Sequence, residues 1–313
     1  MDVLADVLAA TGFKGVLLTQ LRSSGSGWGC AIGQLDTAGF HLIAEGACWL
    51  RTAEAPPKQL VSGDVVLLPR GKPHQLIGAP DEDALPYAEL EAAHPPNRAG
   101  VVDLGGNGPV VRVVCGEFHY VGSTDSHPVL SALPEVIHVP HMSADPQLQG
   151  VIRILAAETR NGQPGSRAVA TRLTEVLFVL TVRAWLERAD SADETEPSWL
   201  TALRDPRIGT ALSLMHEEPH RDWTVESLAH TAAMSRPAFA RQFKAVVGLT
   251  PLAYLSRVRI DLAARLLRDT GDSVGEIAQA VGYSSEFAFS RAFSREHGIA
   301  PGRYRRSALA ARS

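Results

Sequence analysis

At 313 residues the chain exceeds one typical domain, so two domains and a connecting segment are expected. The formal net charge of −4 hides an asymmetry: residues 201–313 hold 16 Lys and Arg against 11 Asp and Glu, and residues 1–200 hold 14 against 23. Only the C-terminal third therefore offers the local positive charge that phosphate binding needs. Three cysteines make no disulfide framework. The amphipathic, acid-bearing start (Met1, Asp2, Val3, Leu4) is not a secretory signal, and the most apolar stretch, Leu173–Leu186, carries Glu175 and Arg183 and is too short to span a membrane. A soluble, cytoplasmic protein without a membrane partner is expected.

From about Val16 to His119, short β-type runs alternate with Gly and Pro: Gly15–Thr19, Gly39–Ile43, Ala47–Thr52, Gln59–Leu60, Val65–Leu68, Gln75–Ile77 and Val110–Val114. Many short strands with turn signals between them predict an antiparallel sandwich or barrel. The clearest motif runs from Gly63-Asp64 through Pro69 and Gly71 to His74 and matches the second cupin motif, G-x5-P-x-G-x2-H. It predicts a small jelly roll with His74 pointing inward. The first cupin motif is degraded, because Phe40-His41 to Glu45-Gly46 supplies one His where a metal-binding cupin has His-x-His. Two readings stay open: a satisfied interior pair, His41 and His74, without metal, or a metal held by both with a third group such as His119 or Cys115. Cys115, within an apolar β-run, reads as a buried structural thiol more readily than as a low-pKa sensor. Ala79–Gly108, rich in acid, Pro, Gly and Ala, reads as a long mobile loop.

Two helical patterns follow, about Ala144–Thr159 and Ser166–Arg188, broken by Asn161-Gly-Gln-Pro-Gly-Ser166. In the second, Leu173, Val176, Leu177, Leu180 and Ala184 recur at the spacing of a helix–helix seam. The acidic stretch Asp190–Pro197 reads as a linker.

Beyond it, one pattern occurs twice about fifty residues apart. Ser235, Ala238, Phe239, Arg241 and Phe243 align with Ser285, Ala288, Phe289, Arg291 and Phe293, and the register holds through Gly248/Gly298, Pro251/Pro301 and Tyr254/Tyr304. A repeat of this kind is one supersecondary unit built twice. Thr224 and Ser273 read as N-caps of first helices, about Val225–Ala232 and Val274–Ala280. Ala233 and Gly282 provide tight turns, and Ser235 and Ser285 read as caps of second helices. The i, i+4 phenylalanine pairs form buried stripes. Opposite them lie Arg236, Pro237, Ala240, Arg241 and Lys244 in one copy, and Glu286, Phe287, Ser290, Arg291 and Ser294 in the other. The unit reads as a helix-turn-helix, and the chain as a DNA-binding protein.

Residues 205–307 resemble the DNA-binding domain of the AraC/XylS family of bacterial transcription regulators, the run from Ile277 to Phe293 most closely. The resemblance implies two helix-turn-helix units joined by a linker helix, about Pro251–Asp269, with each second helix in the major groove of double-stranded DNA. It places Pro237, Ala240, Arg241, Glu286, Phe287, Ser290 and Arg291 against bases. The N-terminal layout is similar to the cupin-type sensing domain of one subgroup of these regulators, the matching pieces including Cys115, His127-Pro128 and Leu133-Pro134.

The expectation is thus an α+β two-domain chain: a cupin-like effector-sensing domain (1–140), a helical dimerisation segment (141–189), a linker (190–200) and an all-α DNA-binding domain (201–313). It is expected to work as a homodimeric transcription regulator, with RNA polymerase a partner if it activates. No catalytic residue and no cofactor are assigned, and His41, His74 and Cys115 are the candidate contacts of a small-molecule effector or an oxidative signal. The rival reading is a metal-dependent cupin enzyme with a helical appendage.

Overall fold

The computed structural model describes residues 13–25, 27–120, 128–131, 133–143, 145–161, 163–191 and 206–310, with Leu4 and Leu8 besides. The chain divides into two compact units, Lys14–Ser126 with Leu133–Glu194, and Thr195–Ser313 with Met1–Phe13 and His127–Ala132. The linker Asp190–Pro197 lies, from residue 192 on, outside the described residues, as do His127 and most of the amphipathic start.

The first unit is built on two facing sheets. Its strands are β1 (Lys14–Ser24), β2 (Gly29–Ile32), β3 (Ala38–Glu45), β4 (Ala47–Thr52), β5 (Lys58–Val61), β6 (Val65–Leu68), β7 (His74–Ile77), β8 (Leu85–Pro86), β9 (Val101–Asp103), β10 (Val110–His119) and β11 (Ile137–Val139). One sheet runs β11-β6-β3-β10-β1-β9 and the other β5-β4-β7-β2-β8. The expected antiparallel pattern holds through the centre, where β10 pairs with β1 on one side and β3 on the other. It fails at the edges, since β9 lies parallel to β1 and β8 parallel to β2. These edge strands come from Ala79–Gly108, so the expected mobile loop needs correcting. The segment forms β8, α1 (Tyr87–Ala93) and β9. The Arg51 guanidinium donates to the carbonyls of Pro80 and Glu82, while the Glu82 carboxylate accepts from the backbone N–H groups of Gly27 and Ala79. Composition marked the polar surface of this segment but carried no trace of anchors some 30 residues away.

Leu21, Ile43, Leu50, Leu60, Leu68, Leu76 and Val113, together with all three cysteines, form the core of this unit. On its outside, α2 (Pro146–Asn161) and α3 (Ser166–Ser191) form a hairpin. An aromatic column holds α3 to the first sheet, with Phe40–Phe118 centroids 5.3 Å apart and Phe118–Phe178 5.0 Å. Gly15 permits the close approach, because a Cβ there would overlap the Thr174 hydroxyl. The expected seam on α3 is divided: Leu177, Leu180 and Ala184 are buried within the chain itself, Leu173 is half-buried and Val176 is exposed.

The second unit is helical: α4 (Pro206–Glu217), α5 (Val225–Thr231), α6 (Arg236–Val247), α7 (Pro251–Asp269), α8 (Val274–Ala280), α9 (Glu286–His297) and α10 (Pro301–Ala310). Reciprocal capping boxes, Thr224 with Ser227 and Ser273 with Glu276, start α5 and α8. Ser285 caps α9 through the Ala288 N–H. Ser235 occupies the same position before α6 but makes no such bond, so its expected capping role is corrected: Pro237 sits in the first turn of α6, and the Ser235 hydroxyl is exposed to water. Gly248 (φ 80°) and Gly298 (φ 70°) stop α6 and α9 in the left-handed conformation.

The turns between the paired helices share a left-handed residue, Gly282 at φ 88° and Ala233 at φ 50°. A Cβ on Gly282 would also meet the His220 backbone at 2.8 Å. Gly282→Ala is therefore expected to lose about 1–2 kcal/mol. Ala233→Gly, relieved of the same conformational penalty but with a freer unfolded chain, is expected to gain about 0.5 kcal/mol. Urea midpoints of the two variants should move in opposite directions, and a common direction would show that the turns are not equivalent.

Candidate functional sites

The repeat leaves α6 and α9 each with one buried and one open face. Phe239 and Phe243 are fully buried on α6, as are Phe289 and Phe293 on α9. Across from them, Arg236, Pro237, Arg241 and Lys244 are exposed and Ala240 is half-buried. On α9, Glu286, Phe287 and Arg291 are exposed and Ser290 is half-buried. All nine sequence-predicted positions thus lie on the open faces. Arg236 is tied to Glu226 of the preceding helix at 2.9 Å. The Arg291 guanidinium lies 5.8 Å from the Phe287 ring centre, which steadies a side chain whose aromatic neighbour is itself 73% exposed.

In the first unit, His41 on β3, His74 on β7 and Cys115 on β10 meet between the sheets. His41 Nε2 is 2.7 Å from His74 Nε2, and His41 Nδ1 is 3.1 Å from Cys115 Sγ. The chain of bonds has one consistent direction. The Lys72 carbonyl, 2.8 Å from His74 Nδ1, can only accept, so His74 Nδ1 donates. His74 Nε2 then accepts from His41 Nε2, and His41 Nδ1 accepts from the Cys115 thiol. Burial, reinforced at His41 by His74, holds the His41 imidazole well below its usual range, and burial lowers His74 too. Burial with Cys30 and Cys48 nearby pushes the Cys115 thiol well up, and burial drives Cys30 and Cys48 to about 12. Such thiols carry little thiolate at neutral pH and make slow nucleophiles. His119 does not join the group, being about half exposed and 3.3 Å from Glu117. Among the described residues no set of three His, Cys, Asp or Glu side chains is disposed around a common metal position.

The pair has a consequence for stability. Both imidazoles stay neutral in the fold, whereas the unfolded chain protonates them near pH 6.5. Their contribution is therefore intact above pH 6.5 and is lost as the pH falls below it toward the depressed native values. The slope is up to about 1.4 kcal/mol per pH unit for each histidine. Urea unfolding of the N-terminal unit at pH 7.5, 6.0 and 5.0 should trace this loss, and His41→Gln with His74→Gln should flatten it. A profile unchanged by the double variant would place the acid sensitivity elsewhere.

Asp64 carries a role that motif matching overlooked. Its carboxylate accepts from His138 Nε2 (2.9 Å), His141 N (2.8 Å) and Val61 N (3.2 Å), fastening the β11 segment beside β6. Burial alone would raise this carboxyl, but the three bonds hold it below the usual range. Sequence reasoning also missed Arg112, buried on β10 and bonded to Gln20, Thr159 and the Ala156 carbonyl. The Gly63-Asp64 pair was visible; its partners, about 75 residues on, were not.

Two family patterns cover most of the chain: a cupin domain matches residues 2–187 and a helix-turn-helix domain residues 228–307. The chain is 34% identical to the HTH-type transcriptional regulator AlkR of Acinetobacter baylyi, over 85% of its own length and 86% of AlkR. It is likewise 34% identical to a putative AraC-like transcription regulator of Streptomyces lividans, over 98% of each chain. A third relative, at 33% and over 87% of this chain and 86% of its own, is the RCS-specific HTH-type transcriptional activator RclR of Escherichia coli. The chain belongs to the AraC-like family of transcription regulators. Membership settles the class of activity: this AraC-family protein is a DNA-binding transcription regulator with a cupin-type domain, and the rival reading of a metal-dependent cupin enzyme falls. No described helix of the regulator is long and apolar enough to cross a membrane.

Proposed function

We propose that this cytoplasmic regulator reads its operator through two helix-turn-helix units, α5 with α6 and α8 with α9. In this reading Arg236, Pro237, Ala240, Arg241 and Lys244 face one stretch of major groove, and Glu286, Phe287, Ser290 and Arg291 another. The observation that carries the reading is the matched exposure of Arg241 and Arg291, each opposite a fully buried phenylalanine pair. Arg241 is the main base reader of the first helix, because Pro237 and Ala240 offer no hydrogen-bonding side chain. The units occupy one face of the duplex about one helical turn apart. Footprinting of the full-length protein on an operator recovered by genome-wide mapping should show two protected segments at that spacing. One protected segment would reduce the reading to a single working unit.

The cupin-type unit, residues 1–140, is the sensing part, with His41, His74 and Cys115 as candidate contacts of a small molecule or an oxidative signal. Any agent that engages Cys115 or His41 has to break the directed hydrogen-bond chain, which makes the triplet a natural two-state element. Residues 141–189 serve homodimerisation. Val169 and Val176, seven residues apart on α3, and Ile154 on α2 are 41%, 44% and 49% exposed, apolar side chains that the described residues leave open. RNA polymerase is the further partner where the regulator activates.

A further inference from the structure

A cavity opens in the first compact unit. It has a volume of about 600 Å³ and is bounded by the β4–β5 hairpin, the β11 segment and the last turns of α3. Leu50, Pro56, Pro57 and Trp185 give it apolar walls, and Lys58 and Arg188 stand at it as cations. None of its described lining residues is acidic. Arg188 is set in place by a 3.2 Å bond from its guanidinium to the His138 carbonyl. His138 lines the same cleft with its side chain only 9% exposed. Its Nε2 is taken by Asp64, and its buried Nδ1 has no partner among the described residues. A buried polar atom left unsatisfied is uncommon and is relieved by a hydrogen-bond partner.

We propose that this cleft is an effector site for a small ring compound bearing one carboxylate and one hydroxyl. The volume suits a molecule of one or two rings. Trp185, Pro56 and Pro57 receive the ring body, Arg188 and Lys58 receive the carboxylate, and His138 Nδ1 pairs with the hydroxyl, which can donate or accept. The placement gives the site a route to the rest of the protein. Trp185 and Arg188 are on the final turns of α3, which ends at Ser191, just before the first compact unit ends at Glu194. Occupancy acts on the helix by which the chain leaves this unit, not on the interior triplet. The proposal rests on the reading of the chain as an effector-responsive regulator and assigns the ligand class and its place.

Titration calorimetry of the full-length protein with 6-hydroxy-2-naphthoate, its carboxamide and 2-naphthoate tests it. The hydroxy acid is expected to bind, the uncharged amide at least about tenfold more weakly, and the acid without hydroxyl several-fold more weakly. Arg188→Gln and Lys58→Gln, both on the surface, should each weaken the hydroxy acid. Absence of binding at millimolar hydroxy acid, or equal affinity for acid and amide, would overturn the site. Equal affinity with and without the hydroxyl would remove His138 from it. Operator footprints recorded on the same preparations keep the two readings apart, because a silent cleft beside an intact footprint defeats only this proposal.

Discussion

Phe289→Ala is expected to remove about 3–5 kcal/mol from the DNA-binding unit. The side chain is fully buried among Ile260, Ala264, Leu267, Ile277 and Phe293, and its ring centre lies 5.6 Å from that of Phe293 and 5.5 Å from that of Tyr283. Truncation deletes both aromatic contacts and leaves a cavity where α7, α8 and α9 meet. A single domain's net stability is commonly about 5–15 kcal/mol, so the loss is a large share of it. Urea unfolding followed by circular dichroism should show the helical unit melting at much lower denaturant while the β-rich unit keeps its midpoint. A loss below about 1 kcal/mol would mean that α9 is held by something other than its phenylalanine stripe. Phe239→Ala should act likewise on the first copy, where the ring meets Phe243 at a tilt with centroids 5.5 Å apart and Phe243 meets Tyr254 edge-on at 5.8 Å.

Arg291→Ala and Arg241→Ala are expected to leave folding unchanged and to weaken operator binding by about 1–3 kcal/mol each, the value of a bidentate contact to guanine. The footprint of each variant should fade in its own half of the site, with base preference relaxed there. Loss of the Phe287 ring should reproduce part of the Arg291 effect, since that ring lies under the guanidinium. Uniform weakening on operator and unrelated DNA alike, with a shallower dependence on salt, would show instead that the arginines touch only phosphate.

Both predictions depend on features that local sequence made readable. Capping residues, the i, i+4 phenylalanine spacing, terminal glycines and the following prolines act within one or two helical turns. The pattern therefore located α5 closely and α8 to the residue (Val274–Ala280), whereas the bounds of α7 (Pro251–Asp269) came with the resemblance to the AraC/XylS family. The central strands were likewise visible as short β-type runs between Gly and Pro, although β1 and β10 extend further than those runs and the short strands β2 and β11 left no signal. Inward placement of His74 followed from the motif, and its burial agrees.

What local sequence could not supply was anything arising between distant segments. A β-type run marks a strand but not its neighbour, so the parallel edge pairing of β8 and β9 came only from the folded sheets. The same holds for the ordering of Ala79–Gly108 by Arg51 and Glu82, whose bonds close loops of up to 55 residues. The seam on α3 could be read as apolar, yet only packing against the sheet divided it into buried Leu177, Leu180 and Ala184 and exposed Val176. The two histidines and the cysteine were identified one by one from 41, 74 and 115. That they touch, in which order their protons run, and that the two rings are held neutral were decided by β3, β7 and β10 converging on one dry interior. Residue type and short-range spacing determine the elements and the repeat of this protein, because helix and strand signals act over a few residues. Register, burial and the protonation of buried groups are set by contacts tens of residues apart, and these exist only once the chain has folded.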